Sequence, residues 1–204
     1  MSNENIKKMI EAADLLNDIL RKIVSSEKGI HAETIVSAAA RMAGTMMFRS
    51  FSLKIESLEP GTVVLSEEAN IHGPALMNAL FLTLKQLGHI DIDGKGLNGA
   101  KETTALSQLS LAKTQELLLP WYVQTQRACN LSLREIAGAG AMATAILIHD
   151  CRSALDVHAG CSIAVYGLVE STKTVPQRLP ESFEQGNVSA PPQRKNNKPW
   201  YKFW

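Results

Sequence analysis

The sequence predicts a mainly α-helical protein: a compact bundle of about six helices, one small β-hairpin at about residues 53–65, and an extended C-terminal tail. Three observations carry this expectation. Apolar residues recur at three- and four-residue spacing over most of the chain. Residues 131–170 are dense in Ala and Gly, which lets helices pack at close range. From Thr174 onward the period is lost, and five of the chain's eight prolines fall in this last stretch among Gln, Asn and Ser.

The elements follow in order. Ile6, Met9, Ile10, Ala13, Leu16, Ile19, Leu20, Ile23 and Val24 alternate with Lys7, Lys8, Glu11, Asp14, Asp18 and Lys22, which is an amphipathic helix ended near Gly29. A second helix spans residues 32–51, with Ile35, Ala38, Ala39, Met42, Met46 and Met47 near one face and Glu33 at its positive end. Leu53 and Ile55, then Thr62, Val63, Val64 and Leu65, flank Glu59-Pro60-Gly61 and read as the hairpin. Gly73-Pro74 reads as the opening of a third helix that stops at Gly88, because proline is tolerated in a first turn. A polar loop follows, then a fourth helix over 105–119 that Pro120 interrupts and residues 121–129 resume. Ser132 and Glu135 form a capping box ahead of the small-residue helix that ends near His149. Residues 153–172 have enough β-branched side chains for a buried strand, but their length favours a last helix.

At 204 residues the chain supports one domain plus an appendage, divided here into a helical domain at 1–172 and a basic tail at 173–204. The tail has six Lys or Arg against two Glu, a net of +4; the whole chain is +1, which leaves −3 on residues 1–172. So small an overall charge supplies no field that draws in nucleic acid or an anionic membrane, and neither is an expected partner beyond contact through the tail. The amino terminus is charged from Glu4 and lacks an apolar leader core, and the longest apolar run, 136–148, is shorter than the ~20 residues that cross a bilayer. A cytoplasmic protein is expected, with Cys129, Cys151 and Cys161 as reduced thiols.

Three groups of residues are candidates for function. Trp200, Tyr201, Phe203 and Trp204 close the chain; four clustered aromatics need a protein surface to cover them, so they are the partner-binding candidates. His149, Cys151, His158 and Cys161 have the nitrogen and sulfur ligands of zinc, or a thiol and its base, but they straddle a turn without Cys-x-x-Cys spacing. Asp91, Asp93, Gly96 and Glu102 fall at the first, third, sixth and twelfth positions of a twelve-residue segment, which resembles the calcium loop of the EF-hand family. That resemblance implies carboxylate ligation of calcium by Asp91, Asp93 and Glu102. Lys95 and Asn98 depart from the pattern, and a glycine-rich surface turn is the reading adopted.

No cofactor and no catalytic residue are therefore assigned. The expected function is a non-catalytic interaction module, an adaptor or chaperone-like subunit, docking through apolar helix faces and the aromatic tail onto another protein or a second copy of itself. The alternative is a small-molecule- or metal-binding helical protein, enzyme activity included, organised around His149, Cys151, His158 and Cys161.

Overall fold

The computed structural model describes residues 3–27, 29–53, 57–92 and 107–179. Six helices lie among them: α1 Asn3–Val24, α2 Ala32–Arg49, α3 Glu67–Gln86, α4 Leu111–Ala128, α5 Leu133–Asp150 and α6 Val157–Thr172. They form a helical bundle with α2 at its centre. Every residue of α2 from Thr34 to Phe48 is buried, and the helix packs most extensively on α6 and α5, then on α4, α1 and α3.

A helix enclosed on all sides must be small where neighbours approach and apolar where they leave space. Ala38, Ala39, Ala40, Ala43 and Gly44 meet the first demand; Ile35, Met42, Met46 and Phe48 meet the second and are at most 1% exposed. Each such large side chain contributes about 1.5–3 kcal/mol by leaving water. Methionines 42, 46 and 47 are thus core filling. The closest approach is at Gly44, where a Cβ would stand 2.1 Å from Ser171 Oγ and 2.6 Å from the Leu168 carbonyl oxygen. From the opposite side, a Cβ at Gly167 of α6 would lie 3.1 Å from Ala40 Cβ, and one at Gly140 of α5 would lie 3.0 Å from Ala43 Cβ. The density of Ala and Gly in 131–170 therefore does what the sequence suggests, and its counterpart is the small-residue face of α2.

The charge at the centre of α2 is answered locally. The Arg41 side chain, 8% exposed, donates from Nε to Glu170 of α6 at 2.8 Å and from Nη1 to the Leu109 carbonyl at 2.6 Å. A buried guanidinium stripped of such a partner costs about 3–5 kcal/mol, so this contact fixes where α6 and the approach to α4 sit on α2.

The structure corrects three local expectations. No hairpin is formed by the described residues of 53–65. Val63 instead pairs antiparallel with Thr174, Val64 N–H donates to the Lys173 carbonyl, and Gly61 and Thr62 bond Val175. The partner is thus the strand-like segment after α6, whose Thr174, Val175 and Pro176 are buried, and Gln177 N–H continues it onto Gln115 of α4. Helix α3 starts at Glu67, not at Gly73, because Ser66 caps it by accepting from Ala69 N–H and Glu67 and Glu68 complement its positive end. Pro74 consequently lies within the helix, and so does Pro120 within α4, which runs unbroken from Leu111 after the Ser110 cap. Two expectations hold: 157–172 is helix throughout, capped by Asp156, and Ser132 and Glu135 make the capping box on α5.

Gly44 and Gly73 give a paired prediction. Gly44→Ala forces α2 and α6 apart and should lower unfolding free energy by about 3 kcal/mol, whereas nothing lies within 4 Å of a Cβ at Gly73. Gly73→Ala should therefore be neutral or stabilising by about 0.5–1 kcal/mol through helix propensity alone. Urea unfolding midpoints of the two variants check this, and equal destabilisation would refute the assigned packing.

Candidate functional site: an apolar groove and an imidazole pair

Helix α3 is an outer helix, and its two sides differ. Leu76, Leu80, Thr83 and Leu84 are buried, whereas Ile71 and Leu82 stand 61% exposed on the solvent side. Between α3 and α6 a hollow of about 230 Å³ is lined by Ala69, Gly73, Pro74, Met77, Leu168 and Val169, with Asn70 and Lys173 at its edge. Two features of the sequence open it. Gly73 presents no side chain there, and Pro74 has no N–H to give the Asn70 carbonyl four residues back. The floor is thus bare and apolar, with a backbone acceptor beside it.

The surrounding surface is apolar too. Leu65 occupies the position before the Ser66 cap, from which a hydrophobic residue normally packs on the fourth residue of the helix. Here that residue is Asn70, and Leu65 remains 83% exposed. Val63, on the strap that pairs with Thr174, is 66% exposed, and Val169 of α6 is 38% exposed. Single exposed apolar side chains are ordinary; several on the elements that border one largely apolar hollow make it a candidate docking surface. Three larger hollows, about 560 Å³ beside α4, about 600 Å³ beside the start of α2 and about 380 Å³ beside Pro60 and Val175, carry more polar lining. Several of those polar groups are bonded within the protein: Lys113 with Glu116 and Gln115 with Thr45 at the first, the His31 ring with Thr34 at the second.

A second feature lies at the carboxy-terminal ends of α3 and α5. After Gln86 the chain reverses through Gly88 at φ +95, and the N–H groups of Gly88 and His89 return to the carbonyls of Lys85 and Leu84. This holds the His89 ring against His149 in the last turn of α5, with Nε2 and Nδ1 2.9 Å apart and the rings edge to face. Arg152 donates to the His149 carbonyl at 2.7 Å, and Arg21 of α1 bonds Asp150 at 2.6 Å. Burial, and then the Arg152 guanidinium, hold both imidazoles below the ordinary histidine range; for His149 the neighbouring His89 adds to this and Asp150 opposes it. Two neutral rings share one proton donor and one acceptor, whereas two imidazolium rings have no acceptor between them. The pairing was not foreseen from the sequence, where the two residues are 60 positions apart and His89 reads only as a helix-boundary residue.

The sequence-derived candidates fall as follows. His149 is engaged by His89, Cys151 follows as the cap of α5, His158 is exposed in the first turn of α6, and Cys161 faces the core at 0% exposure. Among the described residues no three His, Cys, Asp or Glu side chains group as metal ligands. Burial raises the thiols of Cys129 and Cys151 and pushes Cys161 up to about 12, so they are protonated and weakly nucleophilic at neutral pH. Asp91 is described and exposed, but Asp93 and Glu102 of the calcium-loop resemblance lie outside the described residues, as do Trp200, Tyr201, Phe203 and Trp204. His72 and Glu67-Glu68 belong to α3; His72 receives a contact from Arg134 at 3.0 Å. No single described helix is long and apolar enough to cross a membrane.

Two outcomes are expected of these side chains. Because the unfolded chain binds protons at His89 and His149 more readily than the folded one, stability should be flat above about pH 7.5 and fall as pH drops through about 6.5. His149→Gln should reduce that acid-side loss in urea midpoints measured from pH 8 to pH 5; an unchanged profile refutes the pairing. Cys161 should resist iodoacetamide in the native protein and react only on unfolding, as followed by intact mass, and rapid native modification would contradict its burial.

Comparison with protein-family models, curated proteins and solved structures finds no match to this chain.

Proposed function

We propose that this protein is a non-catalytic, cytosolic protein–protein interaction module, an adaptor or chaperone-like subunit, which docks partners through the apolar surface of α3 and α6 and through its C-terminal aromatic segment. The observation that carries the reading is the hollow beside Gly73, lined in part by exposed Val169, next to a helix that exposes Ile71 and is preceded in the chain by exposed Val63 and Leu65. At about 230 Å³ it is smaller than the roughly 300–1,000 Å³ of pockets that take metabolite- or drug-sized ligands, and it suits one large side chain of a partner. The rest of the body is a rigid mount: α3 is held to α5 and α6 by its buried leucines, and the lip at Lys173 is pinned by its bond to Val64.

The test uses a side-chain probe. N-acetyl-tryptophanamide is titrated into isotope-labelled full-length protein in which Trp200, Tyr201, Phe203 and Trp204 are replaced by serine, so that no tail aromatic competes. Amide shifts should concentrate at residues 69–77 and 168–173, and Gly73→Leu, which fills the hollow on an open helix face, should weaken the response at least tenfold. Shifts spread without focus, or indifferent to Gly73→Leu, would sink the docking assignment.

A further inference from the structure

We infer that the groove between α3 and α6 is covered by the chain's own terminal aromatic cluster, docked in cis with the indole of Trp200 or Trp204 seated beside Gly73. This rests on the reading of the groove as a docking site and names its occupant.

Chemistry selects an indole. The hollow has a bare apolar floor, the Asn70 carbonyl that Pro74 cannot serve, and the Lys173 side chain at its edge. Tryptophan's side chain is a large apolar ring with one N–H donor and no acceptor, and its face attracts an ammonium group. It answers all three features. A leucine or phenylalanine would fill the space but offer the carbonyl no donor of its own.

Chain geometry selects this protein's own tail. Lys173 lines the groove, and Leu179 is six residues further on, so the described chain ends at most ~20 Å from the groove edge. Twenty residues, 180–199, separate Leu179 from Trp200. Twenty residues reach well beyond ~20 Å when extended and have a random-coil span of ~25 Å, so the linkage is long enough for the aromatics to meet the groove at an effective concentration in the millimolar range. A second copy at micromolar concentration competes at a large disadvantage. Charge works in the same direction, modestly: Lys198 and Lys202 flank the aromatics, Glu67 and Glu68 form the first turn of the groove's own helix, and residues 180–204 carry +2 against −1 on residues 1–179. A partner protein that uses the groove must then displace the tail, which sets the affinity it needs.

The experiment compares full-length wild type, the four-serine tail variant and Gly73→Leu by amide and indole N–H spectra, with mass from light scattering. Wild type should be monomeric. Both variants should shift amides at 69–77 and 168–173, and Gly73→Leu should also move the tail indole signals while its urea midpoint stays at or above that of wild type. A synthetic peptide of residues 194–204, added to the serine variant, should restore the wild-type groove shifts, and should bind at least tenfold more weakly when Gly73→Leu is combined with the serine changes. Identical groove amides in wild type and the serine variant overturn the inference. So does a wild-type dimer that the serine changes dissociate, since the occupant would then be a second copy. If N-acetyl-tryptophanamide binds the groove of the serine variant while the 194–204 peptide does not, the docking assignment survives and the cis occupant falls; if neither binds there, both fall.

Discussion

The close approach of α2 to α5 and α6 is the constraint on which the rest of this structure depends. Gly44 against the Leu168 carbonyl, Gly140 against Ala43 and Gly167 against Ala40 set how near three backbones come. At that separation a helix is enclosed on every side, its methionines and Phe48 have volume to fill, and its larger polar side chains must find partners within the protein, while the small Ser37 hydroxyl is buried without one among the described residues. Arg41 does so with Glu170 and the Leu109 carbonyl, and Thr45 with Gln115, whose other amide atom accepts from Gln177. Polar pairing around α2 thus also anchors the segment that leaves α6.

That anchoring shapes the surface. The segment after α6 passes the body as a short strap, bonded to residues 61–64 on one side and to α4 on the other. It places Lys173 at the lip of the α3–α6 groove and directs the remaining chain from there. Glycine has opposite meanings at the two ends of this arrangement. At Gly44 the missing side chain is space that a neighbour occupies; at Gly73 it is space left open. Only what lies opposite distinguishes them, and only the second can receive a ligand.

Much of the helical framework was readable from residue order. Periodicity located α1 and α2, and Ser132 with Glu135 marked the start of α5, because these signals depend on neighbours within a few residues. The misplaced elements have a common cause in distant partners or overlooked caps. Residues 61–64 were assigned to a hairpin since Pro60-Gly61 is a good turn, but the strand partner, Thr174, lies 111 positions away. Pro74 and Pro120 were taken as helix boundaries, while Ser66 and Ser110 cap the helices earlier; burial of Leu118, Leu119 and Tyr122 holds the turn around Pro120, and Pro74 lies on the exposed side of α3. The imidazole pair was invisible for the same reason as the strap. Nothing local to His89 or to His149 names the other.

The division is therefore physical. The sequence by itself determined that the chain is a helical bundle built on small residues and that an aromatic, basic segment closes it, since composition, capping and a 3.6-residue period act over short range. Tertiary structure alone decided that α2 is the enclosed helix, that the strap pairs with residues 61–64, that two histidines meet, and that Gly73 borders a groove. Each of those depends on which surfaces face one another once the helices have packed, and that information is held jointly by residues far apart in the chain.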